Sequence, residues 1–468
     1  MRLSSSSPTP RPDGRARRAR RSIALLALAG LALPGCAVQY EERLHPSVPT
    51  LADTLSRAQR EAVVSALDLA VRRDFAHFAG VPGLDYAALL TDYWRDAMAD
   101  ADRRTFSLST IAFLAALRNG HTDFQDDWLW LRDGQPLGFT LLWVEGQWAV
   151  GESEVPGLRP GDVVVAIDDE SLDDFFARQR RYVSASSERA ARHLLVSRPW
   201  LFPRRFTLLL DDGRRVDVER GTPAAGAITG AEPLVRHRWL VPDSIAWLRI
   251  DCFNEPGYER EALALLRGEY RRAGSVVMDL RGNCGGATPN DLLAALADRP
   301  FPWWAQYDAV NQGRLPLPWR RNHDELDDLG RPRAQPPGRA HRVKARREFR
   351  HRLVLLVDEG CASACEDFVM PLQWIGRATV VGDTTFGSSG QPRLLAFVGG
   401  MRARVSTRRE FFPDGTEFEG VGIAPDVPVS PTLAALREGR DPALDTAIAL
   451  LRAPARQAAT RRDTASVR

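Results

Sequence analysis

The chain has 468 residues, 44% of them apolar and 26% charged, which suits a folded protein of about three units at roughly 150 residues each and excludes wholesale disorder. The formal charge is only +3 and much of the positive excess lies in the first 21 residues, so the composition makes no case for a nucleic-acid partner. Lys344 is the single lysine, so a mechanism that needs a lysine has one residue to draw on.

The N-terminus reads as a targeting segment. Arg15, Arg17, Arg18, Arg20 and Arg21 precede an eleven-residue apolar run ending in Leu33-Pro34-Gly35-Cys36. That run fits a signal h-region and is too short to span a bilayer. Its end resembles a bacterial lipobox, which implies a signal peptide over 1–35 and diacylglycerol on Cys36. The expected location is the cell envelope, lipid-anchored and facing the periplasm. The alternative is an ordinary cleaved signal with an incidental cysteine. In an oxidising compartment Cys252, Cys284, Cys361 and Cys365 allow two disulfides in three connectivities. Their spacing does not suit a zinc site, and nothing else in the sequence calls for a metal or cofactor.

Residues 36–130 read as a helical subdomain. Val64, Leu67, Val71, Phe75 and Phe78 recur at three- and four-residue steps up to Gly80. Further helices are expected over about 85–98 and 108–117, followed by Asn119-Gly120-His121. Residues 131–225 are β-rich. Leu137-Gly138-Phe139 opens a strand, and Leu158-Arg159-Pro160-Gly161-Asp162 leads into another. This unit resembles a PDZ domain, which implies peptide-terminus binding at Leu137, Gly138 and Phe139. Residues 236–452 alternate short apolar runs (245–250, 276–280, 353–357, 379–381) with helical stretches, as parallel strands with crossovers do. A Pro- and Arg-rich stretch within 287–350 carries Trp303, Trp304 and Trp319 and reads as a packed loop or a lid. Residues 453–468 form a polar tail.

Three elements carry chemistry. In the first, a buried strand ends in Asp279-Leu280-Arg281-Gly282-Asn283-Cys284-Gly285-Gly286, where glycine amides can face a developing oxyanion. In the second, a strand runs through Cys361-Ala362-Ser363-Ala364-Cys365-Glu366 into a helix, which places the Ser363 hydroxyl at the positive end of a helix dipole. A helix-capping serine is the plain alternative. The third is Glu417-Phe418-Glu419-Gly420-Val421-Gly422-Ile423-Ala424-Pro425-Asp426, a turn between extended segments.

Together with Gly382-Asp383-Thr384-Thr385-Phe386-Gly387, these runs resemble, in order, the motifs of the C-terminal-processing and tricorn-like serine peptidase family. The resemblance implies an α/β fold: a crotonase/ClpP-like catalytic domain with an N-terminal helical subdomain and a PDZ-like domain. It also implies a serine peptidase acting on polypeptides, with Ser363 as nucleophile. One branch of the family uses a lysine just after the Gly-x-x-Thr-x-Gly segment. Here Ser388-Ser389 stand there and Lys344 lies in the insertion, so the histidine-dependent branch is the match. His121 then corresponds to the base and Glu419, with Glu417 as rival, to the residue that orients it. Ala364, with Gly285 or Gly286, is expected to form the oxyanion hole. Tricorn-like members carry a serine where Gly120 stands. That departure leaves the link from His121 to Glu419 open, with Thr122 as one hydroxyl to fill it, and supports a rival reading as a non-catalytic peptide-binding lipoprotein. An esterase or amidase using the same site is a third. For the disulfides, a Cys252–Cys284 link between neighbouring strand ends is expected, and Cys361 and Cys365 flank the nucleophile.

Overall fold

The computed structural model describes residues 51–99, 102–221, 233–308 and 340–453; the targeting segment with Cys36, Trp319 and the tail from residue 454 lie outside them. Helix α1 (Arg57–Asp74) begins at a capping box in which Ser56 and Gln59 exchange side-chain and backbone hydrogen bonds. It buries Val63, Val64, Leu67 and Val71. The apolar periodicity runs past the helix, however. Phe75 lies beyond its end and packs edge-on against Phe78 of a 3₁₀ turn, with ring centroids 4.8 Å apart. Helix α2 (Tyr86–Ala99) and α3 (Arg103–Ala115) follow. Strand β1 (Asp123–Asp126) pairs antiparallel with the distant segment Met401–Ser406, so the chain just after His121 is stitched into the C-terminal region. Helix α4 (Asp127–Asp133) closes this part.

The β-rich unit contains the hairpin β2 (Phe139–Val144) and β3 (Gln147–Ser153), then β4 (Val164–Ile167) and β5 (Glu170–Ser171). Helices α5 (Leu172–Gln179) and α6 (Glu188–Leu195) precede β6 (Arg205–Leu210) and β7 (Arg215–Glu219). The last four strands form one sheet in the order β5-β4-β6-β7. Alternation sets its inner face: Phe206, Leu208 and Leu210 of β6 are buried. They join the same core as Leu67 of α1 and Phe113 of α3.

A six-stranded sheet, ordered β19-β15-β14-β10-β9-β8, carries the remainder. Its strands are β8 (Arg236–Val241), β9 (Ile245–Arg249), β10 (Ser275–Asp279), β14 (Arg352–Val357), β15 (Ala378–Gly382) and β19 (Val427–Pro428). All neighbours are parallel except β8 with β9. Val276 and Met278 of β10 face a core shared with α7 (Tyr258–Arg267), α8 (Asn290–Leu296) and α9 (Ala364–Trp374). Val277 faces the other way, towards Ala443, Ala447 and Leu451 of the C-terminal helix α11 (Pro442–Arg452), which follows the short α10 (Leu433–Arg437). Burial on both faces explains why these strands read as continuous apolar runs.

Within the insertion, β11 (Phe301–Pro302) pairs with β13 (Arg342–Val343), and β12 (Ala305–Asp308) pairs with β18 (Arg408–Phe411). Strand β16 (Pro392–Phe397) joins β17 (Met401–Ser406) and β1 in a small sheet. Trp304 is packed rather than lid-like. It is 1% exposed, its ring lies 4.4 Å from that of Phe418, and its Nε1–H donates to Asp367.

Candidate active site

The Cys361–Glu366 segment leaves the carboxyl end of β14, where sites form in parallel sheets. Ser363 caps α9 with φ +58° and ψ −119°, a left-handed conformation that a non-glycine residue adopts only when its surroundings hold it there. Its N–H donates to Ser388 O and to Glu366 Oε2, both at 3.1 Å. Glu366 is fully buried and also accepts from Thr385 Oγ1 and from the Gly387 and Ser388 amides. Each of these partners is a donor, which suits a carboxylate, while burial pushes the acid up to about 8. Disulfide Cys361–Cys365, buried on both sides, spans the turn, and Cys252–Cys284 joins the loops after β9 and β10.

The glycine loop packs directly on Ser363. A Cβ at Gly285 would lie 2.8 Å from Ser363 Cβ and 3.0 Å from the Ala364 amide, so only glycine fits. The expectation that Gly285 supplies an oxyanion donor needs correction, because its N–H is committed to Asn283 Oδ1 at 2.9 Å. The Gly286 amide has no acceptor among the described residues. Ala364 is the first residue of α9, where amides lack an intrahelical partner.

His121 arrives from the N-terminal region. Its Nε2 lies 2.9 Å from Ser363 Oγ and its Nδ1 3.0 Å from Ser388 Oγ. Ser388 Oγ donates in turn to Glu419 Oε1 at 2.7 Å, so Ser363, His121, Ser388 and Glu419 form one continuous relay. Thr122 is not the bridge, since its hydroxyl donates to Asn119 Oδ1. Gly120 explains the substitution of one hydroxyl for another: a Cβ there would sit 3.0 Å from Ser388 Oγ and 2.7 Å from Phe386 Cε1. Glu419 Oε1 also accepts from Asn119 Nδ2 and Ser186 Oγ. Asn119 Oδ1 receives the His121 N–H, which fixes the loop. Glu417 is excluded as the relay acid by its position, half-exposed and ion-paired with Arg409.

With Glu419 ionised, Ser388 must donate to it, so Ser388 Oγ is left to accept from His121 Nδ1–H. That assigns the tautomer and leaves the Nε2 lone pair facing the Ser363 hydroxyl. Burial, helped by the Arg404 guanidinium, lowers His121 to about 3, so the ring is neutral at pH 7. Burial raises Glu419 to about 7 against the donors that favour its anion. The arrangement can deprotonate Ser363 Oγ and pass a proton back to a leaving group.

Leu137, Gly138 and Phe139 line a different cavity of about 520 Å³. The Leu137 and Phe139 side chains are buried in the core, and Gly138 (φ +81°) accepts the Glu154 amide. Lys344 is exposed after β13. Ser388, Ser186, Asn119 and the clamp Glu366 were not foreseen in these roles; the sequence signal for Ser388 was its place directly after the Gly-x-x-Thr-x-Gly segment.

Residues 244–429 match the model of peptidase family S41, and the chain therefore contains a domain of that family. It is homologous to carboxyl-terminal-processing proteases. It is 27% identical over 301 residues to the Synechocystis sp. carboxyl-terminal-processing protease, covering 62% of this chain and 60% of that protein. It is 24% identical over 305 residues to the chloroplastic carboxyl-terminal-processing peptidase 2 of Arabidopsis thaliana, covering 64% and 51%. The chain thus spans between half and two thirds of the length of these relatives. The crystal structure of mature CPAF superposes with a TM-score of 0.60 at 13% identity, over 81% of this chain and 94% of that one, and shares the mixed α/β fold.

Proposed function

We propose that this chain is an exported, lipid-anchored serine endopeptidase that cleaves extended polypeptides through an acyl-enzyme. The observation that carries the reading is the neutral His121 ring with Nε2 2.9 Å from the Ser363 hydroxyl. Ser363 Oγ gives its proton to His121 Nε2 and attacks the scissile carbonyl. The Ala364 and Gly286 amides receive the oxyanion, and His121 returns the proton to the leaving amine. Water then repeats the sequence on the ester and frees Ser363. The S41 domain and the protease relatives support a peptide substrate.

The arginine-rich start, apolar run and Cys36 support export and anchoring at the periplasmic face, and palmitate incorporation lost in Cys36→Ala tests it. The hairpin and the groove beside Gly138 support a PDZ-like role for 131–225, tested by binding of free-carboxylate against amidated peptides. For catalysis the test is a fluorophosphonate probe: Ser363 is labelled in the intact protein, and labelling disappears in His121→Ala. An unlabelled protein across neutral and alkaline pH sinks the peptidase reading. The non-catalytic rival rested on Gly120, and with Ser388 in that space no observation favours it.

A further inference from the structure

Glu419 is gripped by two hydroxyls with different destinations. Ser388 leads on to His121, whereas Ser186 comes from the turn before α6, within the β-rich unit. Among the described residues, Ser186 is the member of residues 131–225 that is hydrogen-bonded to the relay. Its bonding directions are fixed. The Gly120 amide must donate to Ser186 Oγ, at 3.0 Å, which leaves the hydroxyl proton for Glu419 Oε1 at 2.5 Å. One side chain therefore ties the residue before His121 to the acid at the far end of the relay.

The surroundings keep Ser186 in that position. A Cβ at Gly420 (φ +77°) would lie 2.8 Å from Ser186 O, so only glycine admits this approach. Ser187 caps α6 by accepting from the Ala190 amide. Two residues further, Arg189 donates to Thr385 O and Val421 O, the two segments that carry Ser388 and Glu419. Such a hold is more than a surface serine needs.

We infer that Ser186 is a positioning residue of the relay, holding Glu419 as the carboxylate that orients Ser388 and His121, so that the β-rich unit sets the pH at which the site becomes competent. This rests on the peptidase reading above. The groups facing Glu419 are the Asn119 amide, the Ser388 hydroxyl with His121 behind it, the Ser389 backbone and the Arg409 guanidinium, itself paired with Glu417. Both hydroxyls favour the anion against burial. Loss of one raises the proton affinity of Glu419, and activity then begins at higher pH.

The test compares Ser186→Ala and Ser186→Thr with the parent protein in the mature chain. A hydrogen bond to a charged group corresponds to roughly one pH unit. The acid limb of kcat/KM should therefore move up by about one unit in Ser186→Ala, a tenfold loss below pH 7 that vanishes at alkaline pH with KM unchanged. Ser186→Thr should restore the limb. An equal loss at every pH, or no loss, overturns the inference. A ¹³C titration of Glu419, assigned with Glu419→Gln, needs no turnover. A Glu419 titration midpoint unchanged in Ser186→Ala overturns the inference even in a protein that the fluorophosphonate does not label, and a raised midpoint upholds it.

Discussion

The two halves of the site are built on opposite principles. The nucleophile half is local. Ser363, Ala364 and Glu366 lie within four residues, at the end of a strand buried on both faces, and the glycine loop comes from the neighbouring strand. The base half is assembled from afar. His121, Ser388, Glu419 and Ser186 belong to four separate stretches, with sequence separations of 267 from His121 to Ser388 and 233 from Ser186 to Glu419. The local half is set by the strand end and pinned by one side chain, Glu366, to the neighbouring 385–388 segment. A distributed half exists only once the N-terminal helices, the β-rich unit and the C-terminal turns have all docked. Hydrogen bonds, each of modest net strength, do most of its alignment.

The largest effect should come from cutting the junction of the two halves. His121→Ala is expected to lower kcat by on the order of 10⁴-fold or more with a small change in KM, measured on a peptide substrate. A loss below tenfold would mean that the base half is not needed. Next comes the clamp of the local half. Glu366→Gln sets an amide donor against four existing donors and should destabilise the fold by about 3 kcal/mol, seen in denaturant unfolding. Unchanged stability there would show that the nucleophile turn does not depend on this carboxylate.

The distributed half should respond more gently. Ser388→Ala removes a link but leaves His121 next to Ser363, so kcat should fall by roughly ten- to a hundredfold with the fold intact. Its pH dependence sharpens the point. Protonation of Glu419 removes the anion that fixes the His121 tautomer, so activity in the parent should be lost as pH falls through about 7, and retained above it. The limb belongs to the coupled relay rather than to one residue. A parent profile that stays flat down to pH 5 would place the titrating group elsewhere.

Much of the local half was legible in the sequence because its residues are neighbours there. The strands at 245–249, 275–279, 352–357 and 378–382 fell where apolar runs predicted them, and Ser363 sits in a recognisable string. The distributed half was legible only where a residue type is distinctive. The structure brings His121 and Glu419 to one relay, but serine and asparagine occur too widely for Ser388, Ser186 or Asn119 to stand out. Ser388 stands in the sequence where a lysine is absent, and Gly120 where a hydroxyl is absent. Neither observation, taken singly, reveals that one side chain fills the space the other vacates. Phe75 and Phe78 differ again: the helical periodicity continues past Asp74 because those rings serve the core from the helix cap and the following 3₁₀ turn.

Ser363 leaves a mark on the whole molecule beyond its chemistry. A left-handed non-glycine residue costs about 1 kcal/mol or more that the remainder of the fold must supply. Ser363→Gly adopts the same backbone without strain, so on the peptidase reading the inactive variant should melt slightly higher than the parent, by about a degree in calorimetry. On that reading, selection for turnover and selection for robustness pull this position in opposite directions.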